Sequence, residues 1–536
     1  MMHEECDMTD ATLILMNATV LTQVDGAEPQ QAVAVRDDRV IALGSTDNVL
    51  GCSGPGTKII DLAGSTLTPG WVDAHTHVVQ GALMSLGVDF SRCENLDDVR
   101  RVLHDAHPTD GWIRGWGLNH NVFGGRAPSF EAISDSVTTP VLIRFYDAHS
   151  SLANRAALDI AGVTGRETFD HGGARVAVDS GGKTTGHLIE EPAIHLVEAV
   201  MPGQNVVAAK SLLRSVTEEM ASVGLTGVHV MDDLPGTVEM IRALDEDDAG
   251  LRFWVYGWVQ PDHPAGRVAE LAALVHGTAG DRWRYAGAKL FMDGTVEGGT
   301  AWLCHPDLYG DGTRPSWTDP ERYAAVVREL DRRAVSTTTH AIGDAAVHHC
   351  VRTLAALGKG VRHRLEHLET VCPEDLTTIA DAGIAASMQP THCTRYTRAD
   401  EADDWSRRMG RDRIDRGWPV AELLDLGVTV ALGSDWPVAH FDPRVVMADA
   451  RLRRPAGLPA DPPRQPRQAI SARQALDGYT THAAAAAGLT DGTGTIVVGG
   501  PADFTAVGGD LMGPADRIPE LPIIATVVGG RVVYER

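Results

Sequence analysis

The chain has 536 residues, 47 Lys and Arg against 72 Asp and Glu, a formal charge of −25, and 43% hydrophobic residues. At about 150 residues per domain this length allows three or four units, or fewer if one is an α/β barrel, which takes roughly 250 residues as a single domain. The composition excludes collagen, coiled coil and a disordered tail, and an acidic chain without a Lys/Arg cluster repels phosphate backbones and anionic lipid, so neither nucleic acid nor a membrane is an expected partner.

The N-terminus, MMHEECDMTD, lacks the basic and apolar regions of a secretory signal, and no run of about 18 apolar residues follows, so a cytoplasmic location is expected. The cysteines Cys6, Cys52, Cys93, Cys304, Cys350, Cys372 and Cys393 stand singly, without a CxxC pair, and read as reduced thiols. From Thr12 to about Thr66 short β-rich runs alternate with turns: TLILMNATVLT, QAVAVRDDRVIALG with Asp37-Asp38 at a hairpin position, and TKIIDLAGSTLTPG. Near the C-terminus GTIVVGG, PADFTAVGG and PIIATVVGGRVVYER have the same character. Neither end has enough strands to bury a core alone, so residues 1–66 and 487–536 are expected to form one composite β-sandwich.

Eight strand-like runs occupy the middle: LTPGWVDAHTH, LTGVHVMDD, LRFWVYGW, YAGAKLFMDG, VSTTTHAIGD, VRHRLEHLE, IAASMQPTH and VTVALGSDWP. Helical patterns with i, i+3, i+4 apolar spacing lie between them, such as VVAAKSLLRSVTEEMASVG and PERYAAVVRELDRRA. Eight strand–helix repeats predict an α/β fold, a (β/α)8 TIM barrel over 67–82 and 202–486. The first two strands stand about 150 residues apart, against roughly 20 to 60 elsewhere, which requires an insertion over 83–201. An insertion after a barrel strand lies on the C-terminal face and covers the active site. Within it SGGKTTG lacks the first glycine of a phosphate loop, Ala177 standing there, and reads as a glycine turn between strands. The proline-rich PAGLPADPPRQPRQ after the eighth unit reads as a stiff surface loop.

His75 and His77 are two apart on the first predicted strand, so they face the same side and can hold one metal ion. Such a pair alone is common on a solvated strand edge. Here more metal-capable side chains recur at predicted strand ends: His340 on the fifth, His367 on the sixth and Asp435 on the eighth. Imidazoles with a carboxylate are the ligand set of Zn²⁺ or a similar divalent ion, and an incomplete protein shell leaves a position for a reactive water. Lys289 ends the fourth strand. Buried and neutral, its amine can react with CO₂ to a carbamate that bridges two metals about 3.5 to 4 Å apart; kept as an ammonium it would pair with Asp293 and the site would hold a single metal. Asp293, Asp344 and Arg364 flank these strand ends as groups that could orient the ligands. His149, Trp116, Trp302 and Trp436 are candidate pocket residues for an apolar acyl or amine substituent, and His392, at the seventh strand end, is a candidate substrate hydrogen bond. The absence of a GxSxG elbow, an HExxH helix and a GxGxxG turn leaves serine-hydrolase, zincin and dinucleotide readings without support.

TPGWVDAHTH, the strand-end Lys289, THAIGD, RLEH and LGSDWP, in this order, resemble the metal-dependent amidohydrolase superfamily. KLFMDGT, HAIGDAA, RHRLEH, SMQPTH and LGSDWPV are similar to its amidohydrolase-3 branch of YtcJ-like proteins and N-substituted formamide deformylases, and the resemblance extends to DAHSSLANRAAL and GHLIEEPA in the insertion. It implies two Zn²⁺ per chain, one held by His75 and His77 and one by His340 and His367, with carboxylated Lys289 as the bridge. It further implies that Asp435 is both a ligand and the proton shuttle for a metal-activated hydroxide. The expected function is hydrolysis of a non-peptide C–N bond in a small-molecule N-acyl or N-formyl amine. A deaminase of a cyclic amidine on the same scaffold, which would need one metal, and a non-catalytic scaffold protein are the alternatives; the filled ligand set speaks against the second. The acidic surface permits either a monomer or a homodimer.

Overall fold

The computed structural model describes residues 10–134, 137–203, 206–246, 250–263 and 266–536. Each of the eight runs contains a strand: β1 (Trp71–Thr76), β2 (Leu225–Val230), β3 (Arg252–Trp258), β4 (Trp283–Phe291), β5 (Thr337–Ala341), β6 (Arg364–His367), β7 (Ala385–Met388) and β8 (Val430–Leu432). They pair in parallel in sequence order. β8 returns to β1 through a bridge between Thr76 and Trp436 and the Asp435 N–H donated to the His75 carbonyl at 2.8 Å, so the sheet is nearly closed into a (β/α)8 barrel. The sequence pattern from Thr66 to Thr76 looks like one strand but divides at Gly70. Thr66–Pro69 pairs antiparallel with Phe504–Val507 of a separate sheet, and the chain then enters β1. A Cβ at position 70 would stand 2.2 Å from the Thr226 hydroxyl, so only glycine lets the chain cross so close to β2.

The helical patterns become helices for local reasons that the sequence carries. Pro320 opens Pro320–Arg332 with Asp319 accepting the Glu321 N–H, and Tyr323, Ala324, Val327 and Leu330 form its buried stripe. Such stripes pack on outward residues of the barrel strands, among them Phe253, Val255 and Leu290, in one large core. Each fully buried side chain of this size contributes about 1.5–3 kcal/mol.

The barrel interior combines an apolar cluster, including Trp254, Tyr256 and Met231, with buried polar groups. Arg364 lies inside it, fully buried, over the Tyr256 ring at 4.8 Å, with Nε 2.7 Å from Glu366 and Nη1 donating to His229 Nδ1 at 2.7 Å. A guanidinium survives there because its donors find partners on four strands.

The terminal segments form two sheets. Arg39–Gly44, Ala32–Arg36, Leu13–Met16 and Lys58–Asp61 make one; Thr19–Val20, Thr66–Pro69, Phe504–Val507, Ile523–Val528 and Arg531–Glu535 make the other. Leu13, Leu15, Val33, Val35, Phe504 and Val527 share one apolar cluster between them. The Asp37-Asp38 hairpin is present, with Asp37 at φ 53°. GTIVVGG, read as a strand, is a turn: Ile496 is buried, and the Gly499 and Gly500 backbone bonds to Val40 instead of joining a ladder. The insertion builds its own sheet, in the order Arg175–Val178, Thr184–Ile189, Ser150–Ala153, Val141–Phe145, Ile113–Leu118 and Val88–Asp89, with SGGKTTG as the turn of an antiparallel pair.

Among the described residues no helix is long and apolar enough to cross a membrane. Cys93, Cys304, Cys350, Cys372 and Cys393 are free thiols, whereas Cys52 is disulfide-bonded, correcting its reading as a reduced thiol; isolated spacing in sequence says nothing about approach in space. Cys6 lies outside the described residues.

Candidate metal centre

The inward positions at the carboxyl ends of β1, β4, β5 and β6, with the turn after β8, bring His75, His77, Lys289, His340, His367 and Asp435 together. His75 Nε2 is 3.4 Å and His77 Nε2 3.5 Å from Asp435 Oδ1, and Lys289 Nζ is 3.3 Å from His75 Nε2. The His75 and His367 ring centroids are 4.8 Å apart and those of His340 and His367 4.4 Å.

What each ring offers is decided by the partner of its other nitrogen. His75 Nδ1 lies 2.5 Å from Glu366 Oε2, and His77 Nδ1 donates to Asp232 Oδ1 at 2.9 Å. Asp232 is held by the Val79 and Gln80 N–H groups at 2.7 and 3.1 Å, and Glu366 by Arg364 and the Thr338 hydroxyl. His367 Nδ1 donates to Gln389 Oε1 at 2.9 Å, whereas His340 uses Nε2 to donate to the Gly294 carbonyl at 3.2 Å. Lone pairs are therefore presented by Nε2 of His75, His77 and His367 and by Nδ1 of His340. Burial holds His75, His340 and His367 well below the usual histidine range, so they are the neutral bases that metal ligation requires.

Burial also pushes the Asp435 carboxyl up to about 6, with His77 and Lys289 opposing, and lowers Lys289 to about 8. Asp435 Oδ1 is buried without a hydrogen-bond partner. With His75 and His77 it forms a group whose ligand atoms lie within 4.8 Å of one another, as do His367, His392 and Asp435. An acceptor-only donor set with an orphaned carboxylate oxygen fits a divalent cation. His367 (φ 71°) and Asp435 (φ 58°) both occupy the left-handed region, conformations that persist only where the surrounding structure imposes them.

Gly433 passes so close to β1 that a Cβ would stand 2.8 Å from the His75 nitrogen and 2.9 Å from Asp73 Oδ1. Gly433→Ala is accordingly expected to cost about 1–3 kcal/mol in denaturant unfolding. A loss below about 0.5 kcal/mol would show that the turn yields without strain.

Other expected residues divide. His149 and His392 line the cavity in front of the ligands. Burial opposes protonation of His149, but Glu190 at 2.9 Å raises it to about 9. His392 sits in the helix Pro390–Tyr396 beyond β7 instead of ending the strand, and burial lowers it to about 3. Trp116, Trp302 and Trp436 are not among the residues lining the cavity. Trp116 lies within the insertion strand Ile113–Leu118, the Trp302 ring approaches His349 on the outer helix Asp344–Ala355, and Trp436 packs beside Phe441 and against Gly81. Nearness in sequence to a ligand does not fix which way a large ring turns. The cavity's aromatics are instead Trp258, Phe291, Trp418, Tyr146 and Tyr396.

Asp293 accepts the N–H groups of Trp302, Ile342 and Gly343, with Oδ1 3.8 Å from His340 Nε2, so it shapes the β4 and β5 ends and does not neutralise Lys289. Arg364 acts from inside the barrel, on Glu366. Asp344 turns away, accepting the Cys304 N–H at 2.7 Å beside the partly exposed Cys372, because it opens a helix that leaves the rim. Glu366, Asp232 and Gln389 were missed by sequence reasoning. Glu366 had a signal, since alternation puts it on the same face as Arg364 in RLEH.

Barrel, rim and candidate ligand set together make a (β/α)8 scaffold with a candidate metal centre at the carboxyl ends of its strands. The chain belongs to the amidohydrolase family, whose Amidohydro_3 model matches residues 58–534. It is 27% identical to the putative amidohydrolase YtcJ of Bacillus subtilis, over 96% of this chain and 98% of that one. It is 26% identical to the N-substituted formamide deformylase of Arthrobacter pascens, over 98% of each. An uncharacterized metal-dependent hydrolase from Pyrococcus horikoshii has the same fold, with a TM-score of 0.72 at 20% identity, covering 94% of this chain and 99% of that one.

Proposed function

We propose that this protein hydrolyses the C–N bond of an N-acyl or N-formyl amine at a centre of two divalent ions, Zn²⁺ being the ion this donor set suits. His75 and His77 would hold one ion and His340 and His367 the other, with Asp435 as a further ligand and Lys289, once carboxylated, as the bridge. The observation that carries the reading is the convergence of His75 and His77 Nε2 on the orphaned Asp435 Oδ1, each ring fixed from behind by a buried carboxylate. The name of the Arthrobacter pascens relative supports the choice of bond. Lys289, fully buried and lowered to about 8, has the neutral amine within reach of neutral pH that addition to CO₂ needs.

The bound ions supply Lewis acidity toward a carbonyl oxygen and make a water nucleophilic near neutral pH. Asp435 takes up the proton that the attacking water loses and returns it to the departing nitrogen, which would otherwise leave as a strongly basic anion. Trp258, Phe291 and Trp418 give the cavity apolar walls that limit competing water.

Metal analysis of the purified protein, with a panel of N-formyl and N-acyl amines assayed for free amine, tests the reading. About two equivalents of metal and amine release are expected, with activity lost to a chelator and regained with Zn²⁺. Turnover that survives complete chelation, or ammonia released from ring amidines by a one-metal protein in place of amine from the panel, would overturn it.

A further inference from the structure

The cavity in front of the metal centre is lined by the carboxyl groups of Asp147, Glu190, Glu191, Glu297, Glu369 and Asp435, and by no lysine or arginine among the described residues. Four of the six are accounted for. Asp147 accepts from His120 at 3.1 Å, Glu190 from His149 at 2.9 Å and Glu191 from Arg144 at 2.7 Å, while Asp435 faces His75 and His77. Glu297 and Glu369 have only neutral donors: the Tyr146 hydroxyl reaches Glu297 Oε1 at 2.9 Å and the Trp405 indole N–H reaches Glu369 Oε2 at 2.8 Å. Glu369 is 6% exposed, and its other oxygen has no hydrogen-bond donor among the described residues, the nearest base being His392 at 4.0 Å.

An ionised carboxylate held away from water requires a counter-charge or a full set of donors, and the described residues give the buried Glu369 and the half-buried Glu297 neither, which leaves that part to the ligand. Burial, reinforced by Asp147, pushes the Glu297 carboxyl up to about 7, which favours its neutral form until a positive charge stands beside it. Tyr146, bonded to Glu297, stacks on Tyr396 at 4.0 Å, and these rings line the cavity with the Trp418 indole, so that their outward faces can take a cation. The chain's charge of −25 draws cations toward the opening.

We propose that the substrate carries, besides the bond to be cleaved, a protonated nitrogen, an alkylammonium or a guanidinium, seated against Glu297 and Glu369. The substrate class is then the mono-N-acyl diamines and N-acyl derivatives of comparably basic amines. This rests on the amide-hydrolase reading of the metal centre.

The test compares kcat/KM of the metal-loaded enzyme on mono-N-formyl α,ω-diamines, on N-formyl alkylamines of equal length and on N-formyl ω-amino acids. The cationic series is expected to exceed the neutral one by about tenfold or more, mainly through KM, with the anionic series poorest and the preference shrinking as salt is added. In Glu297→Gln and Glu369→Gln the cationic-to-neutral ratio should fall several-fold; being taken within each variant, it is insensitive to a general loss of folded enzyme. A ratio near one in the wild type, or one that survives both substitutions, overturns the proposal. If neither the formamides nor the corresponding N-acyl amines are turned over, the amide-hydrolase reading fails, and calorimetry with the free α,ω-diamine decides the cation site separately. Binding weakened by either substitution supports that site, whereas absent or unaltered binding removes it.

Discussion

Asp435→Asn is expected to lower kcat by about 10³-fold, within the range that positioned acid–base groups contribute, while the protein keeps most of its metal. The backbone tolerates the change because position 435 has φ 58°, in the region that asparagine and aspartate enter most readily. The amide oxygen can still face His75 and His77, whose Nε2 atoms lie 3.4 and 3.5 Å from Oδ1, so a large part of the donor set remains. What the amide cannot do is accept a proton near neutral pH. The carboxyl, raised by burial to about 6, sits close to the pH at which it would both take and give one. The measurement is kcat on an N-formyl or N-acyl amine beside the metal content of the same preparation. Near-normal turnover would remove Asp435 from proton transfer.

Glu366→Gln should have the second largest effect, on stability and metal affinity together. One Glu366 oxygen stands 2.5 Å from His75 Nδ1 and the other 2.7 Å from the Arg364 guanidinium, and all three side chains are buried in the barrel. Neutralising the carboxylate leaves a buried guanidinium without its anion, a change that costs about 3–5 kcal/mol when a buried pair is broken. It also weakens the orientation of His75, for which a loss of about 10–100-fold in metal affinity is the expected scale. Denaturant unfolding of the metal-free protein and a metal titration separate the two effects. A variant as stable as the wild type and with unchanged affinity would mean that Arg364 and His75 find substitutes.

The eight strands were legible because both faces of a barrel strand are buried, which leaves uninterrupted apolar or Thr-rich runs such as VSTTTHAIGD between amphipathic helices. The five candidate ligands at the strand ends were legible for a related reason. A His or Asp closing such a run, as in VDAHTH and LGSDWP, is an expensive residue in a buried place. The three tryptophans expected at the pocket were not placed correctly, since Trp116, Trp302 and Trp436 sit near motif residues in sequence yet turn into other packing layers. GTIVVGG misled in the opposite sense: its residues suit a strand, but its backbone bonds to Val40 as a turn.

Periodicity and residue chemistry, which are local, therefore determined the barrel, the terminal β segments, the existence of the insertion and which side chains are candidate ligands. Tertiary structure alone decided which ring nitrogen each histidine presents, since Glu366, Asp232, Gln389 and the Gly294 carbonyl reach those rings from remote positions or other strands. It also decided that Glu297 and Glu369 face one cavity lined by no lysine or arginine among the described residues, because they follow different barrel strands and meet only when the sheet curls round on itself.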